Sequence, residues 1–277
     1  MSKVWFVTGG SRGLGRAIVE VALEAGDRVV ATARDTARFG DLVTRYGERV
    51  LPVQLDVARN DEVVRAVRQG LERFGRLDVV VNNAGYADMA SVEDVTLEDF
   101  RAQIDTDFYG VVHVTKAVLP ALREQGSGHI IQVSSVGARV TTPGLAAYQS
   151  AKWAVSGFST VLAQEVAPLG IKVTALEPGG MNTDWAGSSM TVPPVSEPYR
   201  QTVGAFLDML RSGEAASQLP SSEPRRVAEI VRDLAGREDA PVRLLLGVDA
   251  AHVAESNARD LAASDAHWHD VTVSAAR

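Results

Sequence analysis

Hydrophobic and polar positions along the chain follow two rhythms. Short, mainly apolar runs at residues 4–7, 28–33, 50–55, 78–81, 129–133, 171–176 and 242–246 have the length of buried strands. Between them the apolar positions recur at helical spacing. Ile18, Val21, Ala22 and Ala25 form one stripe, closed by Gly26, and Val63, Val64, Val67 and Leu71 form another within 61–74. Thr96 is placed to cap a long helix running through Leu122, with Glu98 and Asp99 in its first turn. Further helices are predicted over 147–166 and from Pro224 through Leu234. Strands apolar on both faces, alternating with helices, predict a Rossmann-type α/β fold: a doubly wound parallel sheet of about seven strands with helices on both faces.

Around 185–223 the rhythm breaks. Pro193, Pro194, Pro198 and Pro220 punctuate a stretch rich in Gly and Ser, with room for a short helix at 200–211. A long irregular segment of this kind reads as a lid over a substrate site. The tail from Asp249 starts helical and then loses its pattern. No repeat or linker interrupts 1–277, so a single domain is expected.

The bulk numbers narrow the function. The 277 residues are 45% hydrophobic, enough for one large core. The net charge of -7 repels phosphate backbones, so nucleic acid is not an expected partner. With no cysteine, disulfides and thiolate metal sites are excluded. No run reaches the roughly 18 apolar residues of a membrane span, and the first residues lack a signal-peptide layout, so a cytoplasmic protein is expected.

The first predicted strand runs into Thr8-Gly9-Gly10-Ser11-Arg12-Gly13-Leu14-Gly15 and then a helix. Amides at a helix N-terminus bind phosphate, and glycines let a diphosphate approach the main chain. The plainer alternative is an ordinary strand-to-helix turn. Arg34 follows the second strand, whose last positions, Thr32 and Ala33, carry no carboxylate to accept from an adenosine ribose. Arg12 and Arg34 can instead clasp a 2′-phosphate, which favours NADP(H) over NAD(H). Against this, Asp35 is a competing neighbour, and either arginine can equally be a solvated surface residue.

Tyr148 and Lys152, four apart on a helix, share one face, and Ser135 lies thirteen residues upstream of the tyrosine. A nearby ammonium favours a phenolate, and a serine hydroxyl can hold a carbonyl oxygen against the phenol. The three make an acid/base device for carbonyls and alcohols.

These motifs, in order and spacing, resemble the single-domain short-chain dehydrogenase/reductase family. Thr8-Gly9-x-x-x-Gly13-x-Gly15, Asn82-Asn83-Ala84-Gly85, Ser135, Tyr148-x-x-x-Lys152 and Pro178-Gly179 carry the resemblance, over roughly residues 3–187. It implies Asp56 and Val57 near the adenine, Asn83, Ala84 and Gly85 near the first strand and the cofactor, and Pro178, Gly179, Met181 and Thr183 beside the nicotinamide. It implies Lys152 on the nicotinamide ribose and a homodimer or homotetramer built through 96–122 and 147–166. One position departs. Where the family carries Asn, three residues before a glycine, this chain has Asp107. An ionised carboxylate only accepts hydrogen bonds and would weaken the pull of Lys152 on the phenol.

The expected function is an NADP(H)-dependent oxidoreductase interconverting a ketone or aldehyde and an alcohol, with a hydrophobic small-molecule substrate. The alternative is an NADP(H)-binding sensor or scaffold without turnover, to which only Asp107 points. His267 and His269 lack a third metal ligand, so no metal is expected. Met181, Trp185, Met190, Phe206, Leu207, Met209 and Leu210 line a substrate pocket, fill core or form an oligomer face; the sequence leaves these readings even.

Overall fold

The computed structural model describes residues 2–182, 190–212 and 221–276. Seven strands form one parallel sheet in the order β3-β2-β1-β4-β5-β6-β7. They are β1 Val4–Val7, β2 Arg28–Ala33, β3 Val50–Gln54, β4 Val79–Asn82, β5 Gly128–Val133, β6 Ile171–Pro178 and β7 Arg243–Leu246. The order reverses between β1 and β4, the place where open α/β sheets leave a crevice at their carboxyl ends.

Successive side chains of each strand feed two cores. Trp5 and Val7 of β1, with Val29 and Ala31 of β2, pack under α1 (Gly13–Glu24) and α8 (Pro224–Leu234). Val4, Phe6 and Val30 face the other way, onto α3 (Asn60–Phe74), α5 (Gly110–Gln125) and α6 (Ala146–Val166). Burial on both faces explains why the strands read as continuous apolar runs. Trp5 keeps its indole N–H satisfied on Asp27 at 2.8 Å.

The helix expected over 96–122 is interrupted. Thr96 does cap it, accepting from Asp99 N at 3.0 Å, and α4 covers Leu97–Ile104. A π-helical turn then spans Asp105–Tyr109 before α5 begins. Such wide turns recur at functional sites, and this one carries Asp107 into the interior. A short helix, α2 (Gly40–Tyr46), fills part of the connection from β2 to β3 and has no counterpart in the sequence reading.

Residues 190–212, which include α7 (Ala205–Ser212), lie over the carboxyl end of the sheet. They are tied to the segment after β4: Met89 N donates to Thr191 O at 3.0 Å, Thr191 N to Asp88 at 2.9 Å, and Tyr199 OH to Glu93 at 2.7 Å. The expected lid thus falls partly outside the described residues, along with Trp185 and Pro220. The tail stays helical further than its pattern suggests, as α9 (Val248–His267) and α10 (His269–Ser274). No helix among the described residues is long and apolar enough to cross a membrane.

Candidate active site

A cleft of about 830 Å³ opens along the carboxyl ends of β1, β2, β4, β5 and β6. At one end stands the glycine turn. Gly9 adopts φ +62°, and a Cβ there would lie 2.9 Å from Ala84 Cα. A Cβ on Gly15 would lie 2.3 Å from Gly9 O and 2.4 Å from the Asn83 amide. Asn83 locks this corner, donating from Nδ2 to Thr8 O at 3.0 Å and Gly9 O at 3.1 Å. Thr8 Oγ1 accepts in return from Asn83 N and Ala84 N. The main chain is therefore bare where α1 begins, and its N-cap, Arg12, provides no capping side chain. Free amides at a helix N-terminus beside a surface without Cβ atoms fit a diphosphate.

Ser11, Arg12, Gly13, Leu14, Arg34, Asp56, Val57, Asn83, Ala84 and Gly85 line this half of the cleft. Arg12 and Arg34 are exposed, and neither forms an ion pair among the described residues. Asp35 does not engage Arg34. Its Oδ1 accepts from Ala37 N at 3.0 Å, and its Oδ2 lies 3.9 Å from Arg38 Nε. Asp56 is held in a turn of its own, accepting from Ala58 N at 3.0 Å.

The other half carries Ser135, Tyr148, Lys152, Pro178, Gly179 and Met181. Ser135, two residues past the end of β5, caps the turn Val136–Ala138 and accepts from Gly137 N at 3.0 Å. Its hydroxyl is hydrogen-bonded to the Tyr148 phenol. Lys152 Nζ donates to Val133 O at 3.1 Å and stands 5.5 Å from the centre of the Tyr148 ring. Burial pushes the phenol above its ordinary value, while Lys152 and Ser135 pull it back and Asp107 pushes it up. The lysine's pull on the phenol is thus present, but desolvation exceeds it.

Asp107 does not line the cleft; it sits behind Lys152, fully buried. Its Oδ2 is 3.6 Å from Lys152 Nζ, and its Oδ1 accepts from Tyr86 N at 3.1 Å. Burial raises its carboxyl to about 6, against the opposing pull of Lys152 and the Tyr86 amide. Gly15 also lies beneath the surface rather than on it, and Thr183 falls outside the described residues.

Around Tyr148, Ala87, Met89, Leu145, Val203 and Leu207 form a buried apolar cluster, with Met190, Phe206 and Leu210 packed against it. The apolar side chains after 190 are thus mainly packing material on the substrate side. Met209 is 37% exposed, and Met181 packs on the core shared by α1 and α8.

Sequence reasoning missed a buried charge cluster under this site. Glu177, fully enclosed on β6, faces Arg139 Nε at 2.5 Å and Arg243 Nε at 2.7 Å. Its Oε1 is 3.1 Å from Ser156 Oγ, which lies 2.9 Å from Ser134 Oγ, itself 3.1 Å from the Lys152 carbonyl oxygen. The partners are 21 to 66 residues apart, so no local pattern signals them. His267 and His269 lie far along the exposed tail; the His267 ring meets Trp268 edge-on at 5.1 Å.

Comparison with known proteins settles the lineage. The profile of the short chain dehydrogenase family matches residues 3–191. This chain belongs to that family of oxidoreductases. It is 57% identical to "Oxidoreductase BOA17" of Botryotinia fuckeliana over 277 residues, covering 100% of both chains. Among solved structures it resembles a short-chain dehydrogenase from Streptomyces avermitilis at 35% identity and TM-score 0.91, covering 99% of each. A short-chain dehydrogenase from Burkholderia cenocepacia in complex with NADP aligns at 28% identity and TM-score 0.74, covering 96% of this chain and 97% of that one.

Proposed function

We propose that the protein is an NADP(H)-dependent oxidoreductase that interconverts a ketone or aldehyde and an alcohol on a neutral, apolar substrate. The observation that carries this reading is the placement of two sets of groups along one cleft. The glycine turn with Arg12 and Arg34 occupies one end, and Ser135, Tyr148 and Lys152 converge at the other.

Arg12 and Arg34 would fork onto a 2′-phosphate, and the buried end of β2 offers no carboxylate to a ribose hydroxyl. A bound nicotinamide supplies the hydride to the carbonyl carbon. The hydroxyls of Ser135 and Tyr148 hold the carbonyl oxygen. In reduction Tyr148 gives that oxygen its proton; in the reverse direction it takes the proton back. Lys152, anchored on Val133 O, keeps a positive charge near the phenol and stabilises its ionised form. Asp107 tempers that charge from behind.

Pro178, Gly179 and Met181 would flank the nicotinamide. The substrate side supports an apolar compound: Tyr148 is embedded among Met89, Leu145 and Val203. Of the cations on the described cleft wall, Arg12 and Arg34 would hold the cofactor and Lys152 would serve the phenol and the nicotinamide ribose, which leaves none to bind a charged substrate. The chain works as one domain and as a homo-oligomer. Trp153 and Val161 on α6, and Tyr109 beside α5, are 49%, 57% and 48% exposed and suit a subunit face.

NADPH consumption against a panel of ketones, aldehydes and quinones, with NADH alongside, tests the reading. Turnover with NADPH is expected; a strong preference for NADH overturns the roles of Arg12 and Arg34.

A further inference from the structure

The cofactor-side loop after β6 is held by a residue from the far end of the chain. Gly179 N donates to Leu246 O at 2.9 Å, Ser222 N to Gly180 O at 2.8 Å, and Asn182 N to Ser222 O at 3.1 Å. The amide of Gly180 has a side-chain partner instead: Asp249 Oδ2, at 2.6 Å. Asp249 reaches there from the first turn of α9. Its carboxylate lies directly on the Gly179 main chain, where a Cβ would meet Oδ2 at 2.2 Å and Oδ1 at 2.3 Å. On the other side a Cβ at Gly247 would meet Oδ1 at 2.5 Å. The two glycines make a slot that only a bare backbone leaves open.

That arrangement has a cost. Asp249 Oδ1 is buried without a hydrogen-bond partner among the described residues, and an unsatisfied carboxylate oxygen is unfavourable. Anchoring α9 does not require it. The helix has its own attachments: Ala250 and Ala254 are buried, and Asn257 Nδ2 donates to Arg139 O at 2.6 Å. What the carboxylate does fix is the Gly179–Gly180 backbone, which lines the same cleft as Tyr148 and Lys152.

We propose that Asp249 is a positioning residue of the cofactor site, whose carboxylate holds Gly179 and Gly180 in the conformation that receives the nicotinamide half of the dinucleotide. The proposal rests on the NADP(H) reading above. It makes the start of α9 part of the binding site although it contributes no lining atom.

The test compares two ligands, NADPH and 2′,5′-ADP, which lacks the nicotinamide half. Asp249→Ala weakens NADPH binding about tenfold or more, since a charge-assisted hydrogen bond is lost, and leaves 2′,5′-ADP binding unchanged. Asp249→Asn, which keeps an acceptor for Gly180, restores most of the NADPH affinity. Gly179→Ala weakens NADPH binding in the wild-type background and adds little to Asp249→Ala, because the clash is with the carboxylate itself. Unchanged NADPH affinity in Asp249→Ala, equal loss of both ligands, or additive effects of the two substitutions would overturn the proposal. A wild-type protein that binds neither ligand overturns the cofactor reading instead, and shows it before any substitution is made.

Discussion

Lys152 Nζ and Asp107 Oδ2 face each other at 3.6 Å, both side chains shut away from solvent. The contact is longer than a hydrogen bond, so Asp107 acts on Lys152 chiefly through charge. Its carboxyl, raised to about 6 by burial, is ionised above that value and then opposes the lysine's pull on Tyr148. In Asp107→Asn that opposition disappears. The limb of the alcohol-oxidation pH profile that reports the Tyr148 phenolate moves to lower pH, and pH–rate curves that superimpose on wild type refute the role.

The same group predicts a stability effect of defined sign. The folded carboxyl, at about 6, lies above the ordinary 3.8, so between these values the folded state binds more proton than the unfolded state. Stability therefore declines as pH rises through roughly 4 to 6. Denaturant titrations across that window should show the decline in wild type and its reduction in Asp107→Asn.

Arg34→Ala and Arg12→Ala each remove a guanidinium that has no ion pair among the described residues. Each should raise the KM for NADPH by roughly 10- to 100-fold, the worth of a charged hydrogen bond, and leave NADH kinetics nearly unchanged. Initial rates with the two cofactors give the comparison directly.

Gly15→Ala places a methyl group 2.3 Å from the Gly9 carbonyl oxygen. Backbone cannot yield as a flexible side chain does, so a loss of about 1–3 kcal/mol of stability is expected. NADPH affinity should fall with it as the turn is pushed out of shape. Thermal melts with and without NADPH separate the two effects.

Glu177→Ala leaves Arg139 and Arg243 facing each other without the carboxylate between them. The two arginines are about a third exposed, 33% and 35%, and keep part of their hydration, so the loss is that of charged hydrogen bonds, about 1.5–3 kcal/mol, a fall in Tm of roughly 3–6 °C. Calorimetry of Glu177→Ala against wild type checks this.

What could be read from the sequence was local. The boundaries of β2 follow from a short, mainly apolar run, those of α8 from Pro224 at its start and a regular stripe, and Tyr148 and Lys152 share a face because they are one helical turn apart. The π-helical turn at Asp105–Tyr109 was hidden because it leaves the apolar spacing of the flanking helices intact. The short α2 has one buried side chain, Leu42, too few to make a period. Glu177 and Asp249 take their meaning from partners 21 to 69 residues away, a distance no local pattern spans. The tail beyond Asn257 lacks an apolar stripe because it packs on nothing among the described residues.

The most direct test of the account is single-turnover reduction of an accepted carbonyl substrate by enzyme preloaded with NADPH, comparing wild type with Tyr148→Phe. The phenylalanine keeps the ring and removes the proton donor. NADPH binding should be preserved while the chemical step slows by at least about 100-fold. A variant that turns over at the wild-type rate, or a wild type that binds NADPH tightly and oxidises it with no carbonyl compound, would contradict the assignment.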